Sequence, residues 1–430
     1  MSVETLAGLS RRRADGTRRG LPSVCSAHPL VVEAALREGL AAEADVLIEA
    51  TCNQVNQDGG YTGMNPAGFR RFVEGIADRV GFARDRLILG GDHLGPNPWK
   101  HLDAETAFAK ADAMIAAYVE AGFDKIHLDA SMGCRGEPEA LEDETVAGRA
   151  ARLAAVAEAR SEDGRRPVYV IGTEVPVPGG AWEAAADHLQ VTRPEAAERT
   201  VAVHAEAFAG RGLETAFERV IGLVVQPGVE FGDGEVIRYD PTRAAALSSW
   251  LGDHAPLVFE AHSTDYQTEE GLEGLVRDGF AILKVGPWLT FALREVLYGL
   301  DAIADELDPA RSAASLRATM ERLMCAEPEH WQRYYGGDAT AARIKRHYSY
   351  SDRIRYYWPH PEARAAVDRL FDRLAGGAIP ETLVSQYLAP LYPAVATGAV
   401  RAEAHDLVMA ALGQVLARYR RASGPGGRGG

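Results

Sequence analysis

The sequence has few cysteines, and their spacing excludes two common kinds of stabilising site. Its four cysteines, Cys25, Cys52, Cys134 and Cys325, are widely separated and form no CxxC pair. This pattern argues against a disulfide framework and against a cysteine-rich zinc site. The chain also lacks an apolar run of the ~18 residues that a membrane span needs, and its basic first residues lack the apolar core of a secretory signal. We therefore expect a cytoplasmic protein with no membrane contact.

Positive charge is also in short supply. Lysine and arginine together number 46 against 61 aspartates and glutamates, which gives a formal net charge of −15. A surplus of negative charge repels nucleic acid, so we expect no nucleic-acid partner. No Gly-x-Gly-x-x-Gly motif follows the first predicted strand, and no nucleotide cofactor is expected for that reason.

What the chain does contain is a long alternation of short apolar strands and helices. The predicted strands are residues 23–27, 46–50, 87–91, 125–129, 168–171, 220–225, 257–261 and 281–285. Eight such strands separated by helices predict an α/β fold, a (β/α)8 TIM barrel, with a doubly wound open sheet as the alternative. The expected organisation is a disordered basic leader (1–19), the barrel (20–306), a mostly helical C-terminal region covering the barrel mouth (307–422) and a disordered tail (423–430).

Ionisable and amide side chains concentrate at the carboxyl ends of the predicted strands. In a barrel these ends meet at one mouth, where active sites lie, and buried charges are costly unless they are paired or bound to a metal. The sequence therefore predicts an active site at this mouth. The residues concerned are His28, Glu49, Asp92, His93, His127, Asp129, Glu174, Gln226, His262, Asp265 and Lys284.

A divalent metal is the cofactor that this mixture of histidines and carboxylates favours. We predict His93, Glu174 and His262 as its ligands, with a hydrogen-bond network between strands as the alternative. Asp92 lies beside a predicted ligand and suits a general acid/base. Weaker candidates for the same catalytic work are Glu49, Asp129 and Asp265.

Other residues are candidates for binding the substrate. Lys284 could form a Schiff base or an ion pair inside the barrel. Arg353 and Arg355 could clamp a phosphate, or could form a solvated or dimer-facing pair. The remaining candidates are His28, His127, Gln226, and Asn53 and Gln54 of an amide-rich loop that suits polyol hydroxyls or a solvated turn.

Ten long motifs in residues 20–420 resemble the Z-subunit family of tagatose-1,6-bisphosphate aldolase. They are residues 23–30, 48–51, 53–57, 60–64, 90–97, 125–129, 172–180, 226–231, 260–267 and 351–359. The resemblance implies a barrel related to the class II, metal-dependent aldolases and a role in galactitol or tagatose catabolism. Asp92 and His93 resemble the acid/base and zinc ligand of those aldolases. The resemblance leaves zinc, manganese, cobalt and nickel open.

The resemblance implies two alternative functions. One is a free-standing 4-epimerase that interconverts tagatose 6-phosphate and fructose 6-phosphate, and the other is a non-catalytic Z subunit that supports the activity and stability of a Y-type aldolase subunit. We favour the epimerase, acting by retro-aldol cleavage and re-addition, because many ionisable residues remain at the strand ends. The expected partners are a phosphorylated ketose, a Y-type subunit or a second copy of the chain.

Overall fold

The predicted TIM barrel is confirmed, and the open sheet is wrong. A computed structural model describes residues 4–9, 19–162, 164–173, 189–254, 256–309 and 315–424. Eight parallel strands pair in chain order, and the last pairs with the first to close the barrel. The strands are β1 (Leu21–Cys25), β2 (Val46–Thr51), β3 (Leu87–Leu94), β4 (Lys125–Leu128), β5 (Val168–Ile171), β6 (Val220–Val224), β7 (Val258–Ala261) and β8 (Phe280–Val285).

Within the described residues, one helix of nine or more residues follows each of the eight strands. These helices are α1 (Pro29–Ala41), α2 (Pro66–Val80), α3 (Ala104–Glu120), α4 (Asp143–Arg160), α5 (Pro194–Ala209), α6 (Pro241–Gly252), α7 (Glu269–Arg277) and α8 (Pro287–Leu307). Proline begins several of them, since its fixed φ suits the first helical turn. In α2 the Asn65 side chain accepts the Gly68 N–H, and Gly81 ends the helix at a φ of +75°. These local signals set the bounds of α2.

The interior of the barrel is built in layers. Because alternate strand residues face inward, the lower layer is apolar and contains Leu47, Ile88, Val258 and Ile282. Leu6 and Leu9 are buried in the same apolar cluster. They belong to the helical residues 4–9, so this part of the expected disordered leader is ordered. The next layer up is charged, and it forms the floor of the site.

The C-terminal region divides into two parts that contact the barrel differently. Its helices are α9 (Leu316–Ala326), α10 (Ala339–Tyr348), α11 (Pro361–Leu374), α12 (Glu381–Tyr387), α13 (Tyr392–Ala396) and α14 (Ala404–Ala422). Helix α14 packs on the outside of the barrel against α1, α7 and α8. Ser423 is also buried, and its carbonyl accepts the Gly20 N–H at 3.0 Å. Ser423, which we expected in a disordered tail, is therefore ordered, and residues 425–430 lie outside the described residues.

A second part of the C-terminal region lies over the barrel mouth. The 3₁₀ segment Arg353–Tyr357 brings Tyr356 against Tyr61, with ring centroids 4.9 Å apart. A two-stranded hairpin after β6, Glu230–Phe231 with Val236–Ile237, borders the same mouth through Phe231. Only part of the C-terminal region thus covers the mouth as expected. Of the helices in the described ranges, none combines the length and the apolar character that crossing a membrane requires.

Candidate active site

A bulge in β3 places Asp92 and His93 at the barrel mouth. Between the aligned pairs Gly91–Ile126 and Leu94–Leu128, two residues of β3 face one residue of β4. His93 adopts a φ of +49°, which is unusual for a residue other than glycine. Bulges redirect side chains and often lie beside active sites. The Asp-His pair was expected in the loop after the strand, but it lies within β3.

The floor of the site is a layer of buried ion pairs. Lys125 Nζ lies 2.7 Å from Glu49 Oε1 and 2.7 Å from Glu260 Oε2, and all three side chains are inaccessible to solvent. Lys284 Nζ lies 2.5 Å from Glu49 Oε2 and 2.9 Å from Asp92 Oδ1. Each ammonium group therefore bridges two carboxylates, which offsets the cost of burying the charges.

These ion pairs fix the charge states of Asp92 and Lys284. Burial alone would raise the pKa of Asp92, but Lys284 and His93 outweigh it and hold that pKa well below its ordinary value. Burial alone would lower the pKa of Lys284, but Asp92 and Glu49 outweigh it and raise that pKa. A Schiff base needs a neutral amine. The geometry therefore favours the ion-pair alternative for Lys284.

Three imidazoles meet above the floor. The ring centroids of His93, His127 and His262 lie 4.7–5.3 Å apart. His93 Nδ1 lies 2.9 Å from Asp129 Oδ2, so its other ring nitrogen is left as the ligand atom. Burial lowers the pKa of His262 to about 4, which keeps this ring neutral at neutral pH.

The donor atoms at this point fit a divalent transition metal. One ligand atom each from Asp92, His127, Glu260 and His262 lies within 4.8 Å of all the others. His127 Nε2 is buried and has no hydrogen-bond partner among the described residues. Neutral imidazoles together with a carboxylate are the ligands that zinc and similar cations prefer. Of the predicted ligands, His262 belongs to this group. The His93 ring lies beside it, 4.7 Å from the His262 ring, and Glu174 lies outside the described residues.

A cleft that is open to solvent lies above the floor. Its lower part is formed by Cys25, Asp92 and Lys284, and its outer wall by Tyr61, Arg355 and Tyr356. Asn53, Gln54, His93, His262 and Asp265 also line it, as expected of substrate-binding or catalytic residues.

Two of the expected catalytic residues lie below or beside the cleft. Glu49 is inaccessible and paired with both lysines. Asp129 accepts hydrogen bonds from Ser131 and orients His93. Asp265 does line the cleft, where its Oδ1 accepts the N–H groups of Gly286 and Trp288. Burial raises its pKa to about 6 despite these bonds.

Three of the predicted substrate-binding residues are engaged elsewhere. The His28 ring caps α1 by accepting the Leu30 N–H. The Gln226 side chain accepts the N–H groups of Gly228 and Val229 and holds its own loop. Arg353 donates to the His330 carbonyl and stacks on Tyr334. None of the three lines the cleft as the structure describes it. His127 contacts Asp92 from within the floor.

Four further residues belong to the site but were not predicted from the sequence: Lys125, Glu260, Tyr61 and Tyr356. The sequence pattern could have predicted the first two. Lys125 with His127, and Glu260 with His262, form i, i+2 pairs on one face of a strand. A charged residue in such a pair faces the same interior as the histidine. Tyr61 and Tyr356 come from separate loops, and only the tertiary fold brings them together.

Comparisons with known proteins agree with this architecture. A protein of Agrobacterium fabrum (strain C58) named D-tagatose 6-phosphate 4-epimerase is 56% identical over 423 residues, which cover 98% of this chain and 99% of the relative. A crystal structure of a probable tagatose 6 phosphate kinase from Sinorhizobium meliloti 1021 matches with a TM-score of 0.88 at 59% identity, covering 94% of this chain and all of that one.

A family model matches nearly the whole chain as well. It describes D-tagatose-1,6-bisphosphate aldolase subunits of the GatZ/KbaZ-like kind, and it covers residues 6–424. The match includes β3 with its Asp-His bulge, the charged floor and the C-terminal segment over the mouth. The chain belongs to the GatZ/KbaZ-like family of D-tagatose-1,6-bisphosphate aldolase subunits.

Proposed function

We propose that this protein is a D-tagatose 6-phosphate 4-epimerase that forms D-fructose 6-phosphate. The observation that carries the proposal is the 56% identity, over almost the full length of both chains, to a relative named for this activity. The buried acid/base and imidazole groups at the mouth supply the chemistry that such a reaction needs. Its substrate is a phosphorylated ketose, and the reaction takes place in the cytoplasm, where sugar phosphates are retained.

The position of the inverted carbon decides the mechanism. Carbon 4 of a 2-ketose is β to the carbonyl, so its hydrogen is not acidic and simple deprotonation cannot invert it. Inversion then needs transient oxidation or cleavage of the C3–C4 bond. The sequence has no nicotinamide fingerprint after the first strand. Cleavage to an enediolate and an aldehyde, rotation of the aldehyde and re-addition invert C4 without an external oxidant.

Asp92 is the base that this mechanism assigns to the C4 hydroxyl. It lines the cleft, and its lowered pKa keeps it ionised and able to accept a proton. Lys284 and the imidazoles hold it in place. When Asp92 takes the hydroxyl proton, the C3–C4 electron pair passes into the C1–C3 fragment, which becomes the enediolate, and C4 becomes an aldehyde.

A divalent cation is the cofactor in this proposal. His127, His262 and Glu260, with His93 beside them, would hold it, Asp92 next to them takes the proton, and Glu174 stays a predicted ligand. When bound, such a cation supplies Lewis-acid stabilisation of developing negative charge on the substrate's oxygens. The chain's own contribution is to keep the His262 imidazole neutral, to orient His93 through Asp129 and to exclude water from the floor.

Arg355 is the proposed phosphate-binding residue. It lines the cleft beside Ser263 and Gly286, which belong to the loops after β7 and β8. Barrel enzymes commonly bind phosphate with these two loops. Burial would lower the pKa of Arg355, but neighbouring tyrosines and Asp352 outweigh it, so the guanidinium stays charged.

The test uses the purified chain alone, with tagatose 6-phosphate and an added divalent metal. Chromatography should show fructose 6-phosphate as the product. In deuterated water C4 should remain unlabelled, because the C4 hydrogen never leaves its carbon during cleavage and re-addition. Deuterium at C4 would contradict this route. A parallel reaction with ATP checks for a bisphosphate product, although the sequence has no Gly-Lys pair and so no P-loop.

A second candidate function is the non-catalytic Z subunit of a class II D-tagatose-1,6-bisphosphate aldolase. The description of the family as an aldolase subunit is the observation that favours it. In that case the chain alone turns over neither the monophosphate nor the bisphosphate, and cleavage of the bisphosphate rises when a Y-type subunit is added. The same assays therefore separate the two functions. Size-exclusion chromatography with light scattering tests the expected homo-oligomer.

A further inference from the structure

An epimerase of this kind needs two proton-transfer groups, and this inference rests on the proposed function. When the aldehyde turns its other face to the enediolate, the C4 oxygen moves to the opposite side of the reacting bond, so it occupies two different positions in the site. Asp92, on a barrel strand in the floor of the cleft, can serve only one of these two positions. A second acid/base has to reach the substrate from a different wall.

Tyr356 occupies such a wall. It belongs to the Arg353–Tyr357 segment, outside the barrel strands, and it lines the same cleft as Asp92. The Tyr356 hydroxyl accepts a hydrogen bond from Arg355 Nη2 at 3.0 Å. Its ring meets Tyr61 edge-on at 4.9 Å and stacks on His330 at 5.0 Å. These contacts fix the orientation of the phenol.

The charges around Tyr356 favour transfer of its proton. Burial alone would raise its pKa, but Arg355 and Arg353, with a smaller contribution from Arg333, outweigh it and lower the pKa. The other titratable groups against the ring are Tyr61 and His330. Tyr61 differs, because burial raises its pKa to about 12. Of the two phenols in the cleft, Tyr356 is the one suited to give and take a proton.

The carboxylates first considered for this role are less suitable. Glu49 and Asp129 lie outside the cleft lining and are held by their ion pairs. Asp265 lines the cleft, but it accepts two backbone N–H groups and holds the loop between β8 and α8. Asp265 therefore acts as a hydrogen-bond acceptor that holds the backbone after β8.

We propose that Tyr356 is the acid/base catalyst that serves the C4 oxygen on the face opposite to Asp92. In one direction Asp92 takes the proton of the C4 hydroxyl and the C3–C4 bond breaks, with its electron pair passing to the enediolate. The aldehyde rotates, the enediolate re-forms the bond, and the Tyr356 phenol protonates the new C4 oxygen. Water then returns the proton from Asp92 to the phenolate, so nothing else is consumed.

The experiment compares Tyr356→Phe with Asp92→Asn, using both epimers as substrates. Each variant keeps one of the two proton-transfer groups, so each should still cleave one epimer and fail to cleave the other. A coupled assay for released glyceraldehyde 3-phosphate reads this cleavage. We expect Tyr356→Phe to cut epimerisation by about 10²–10⁴-fold in kcat, with little change in KM, and to cleave only the epimer that Asp92→Asn leaves intact.

Tyr61→Phe is the matched control, because it also removes one phenol hydroxyl from the wall that Tyr356 belongs to. It should lose far less epimerisation and should still cleave both epimers. Circular dichroism and thermal unfolding check that each variant keeps the fold. If the wild-type chain makes no fructose 6-phosphate, the proposed function fails and takes this inference with it. If the wild type is active while Tyr356→Phe cleaves both epimers, or Asp265→Asn shows the one-epimer pattern instead, only the assignment to Tyr356 is overturned.

Discussion

At the scale of single residues, Asp92 is a carboxylate kept ionised where burial would otherwise protonate it. Asp92→Asn preserves the shape of the side chain but removes the proton acceptor. We expect kcat for epimerisation to fall by roughly 10²–10⁴-fold. The control is Asp58→Asn, which changes an exposed carboxylate paired with Lys110 and should keep the full rate. Equal rates for the two variants would remove Asp92 from the mechanism.

His262 is the residue on which metal binding can be tested. Glu260, its partner at 3.0 Å, remains paired with Lys125 when the imidazole is removed. His262→Ala should therefore lose the metal while the barrel stays folded. Elemental analysis after dialysis measures the metal, and thermal unfolding measures the fold. His28→Ala, outside the cleft, should keep its metal, and full occupancy in His262→Ala would refute the assignment.

Lys125 should contribute to the stability of the fold and should not contact the substrate, because it is buried below the cleft. Replacing it by methionine removes the 2.7 Å ion pairs to Glu49 and Glu260, and Lys284, at 3.8 Å, is then the nearest cation to Glu260. We expect the free energy of unfolding to fall by about 3–5 kcal/mol, as for other buried ion pairs that lose one partner. Lys110→Met, which breaks an exposed pair, should cost less than about 1 kcal/mol. Urea titrations compare the two, and similar losses would contradict the role given to the floor.

The position of ionisable residues at the ends of apolar strands could be predicted from the sequence. Asp92, His93, His262 and Lys284 were predicted at the mouth and lie there. The same reasoning did not work for Gln226, whose polar side chain satisfies the backbone of its own loop. An amide that binds a ligand and one that closes a turn have the same local sequence pattern, and only the tertiary contacts separate them.

At the scale of elements, the 3₁₀ segment over the mouth separates two arginines that the sequence analysis treated alike. A 3₁₀ helix has three residues per turn, so residues two apart point in different directions. Arg355 faces the cleft, whereas Arg353 stacks on Tyr334. A linear sequence shows the pair but not this divergence. The same limit applies to the bulge in β3, which placed the Asp-His pair inside the strand rather than after it.

This divergence gives a direct test. Arg355→Ala should raise KM for tagatose 6-phosphate by roughly tenfold or more, the effect of losing a charged hydrogen bond of about 1.5–3 kcal/mol, and should change KM for unphosphorylated tagatose much less. Arg353→Ala should affect both sugars alike. Steady-state kinetics on the two sugars measures this. If Arg355→Ala raised both KM values equally, Arg355 would have a structural role.

At the scale of the whole molecule, the buried carboxylates make stability depend on pH. The pKa values of Asp92, Asp129 and Glu260 are held below their unfolded values of about 4. Their contribution is complete above that pH and is lost as the pH falls through the folded values. Asp265 has the opposite effect on stability. Because its folded pKa is about 6, its contribution to the free energy of unfolding decreases as the pH rises from ~4 to ~6.

We therefore expect the free energy of unfolding of the metal-free chain to drop steeply below pH ~4. Denaturant titrations at a series of pH values measure the slope. Asp129→Asn should flatten it, because one proton fewer is taken up on unfolding. A stability that does not change between pH ~5 and ~3 would show that folding does not lower the pKa values of these carboxylates.

The architecture as a whole was the most predictable property of the chain. Eight apolar strands alternating with helices leave few alternatives, because parallel strands need long crossovers and the sheet must be covered on its outer face. The ends of the chain were harder to predict. Residues 4–9 look like part of a polar leader, yet Leu6 and Leu9 fill the apolar bottom of the barrel. Two leucines in a short stretch give no periodicity to detect.

Helix α14 is the last part of the barrel's outer layer to be synthesised. A chain leaves the ribosome N-terminus first, so α1, α7 and α8 are made well before the helix that covers them. Tyr419, which donates to the Thr264 carbonyl, is among the last of these residues to emerge. Until then a nascent chain carries an uncovered apolar face of the kind that chaperones bind and proteases recognise. A truncated product that lacks α14 therefore leaves the apolar faces of α1, α7 and α8 exposed, and chaperones and proteases can recognise it by this surface.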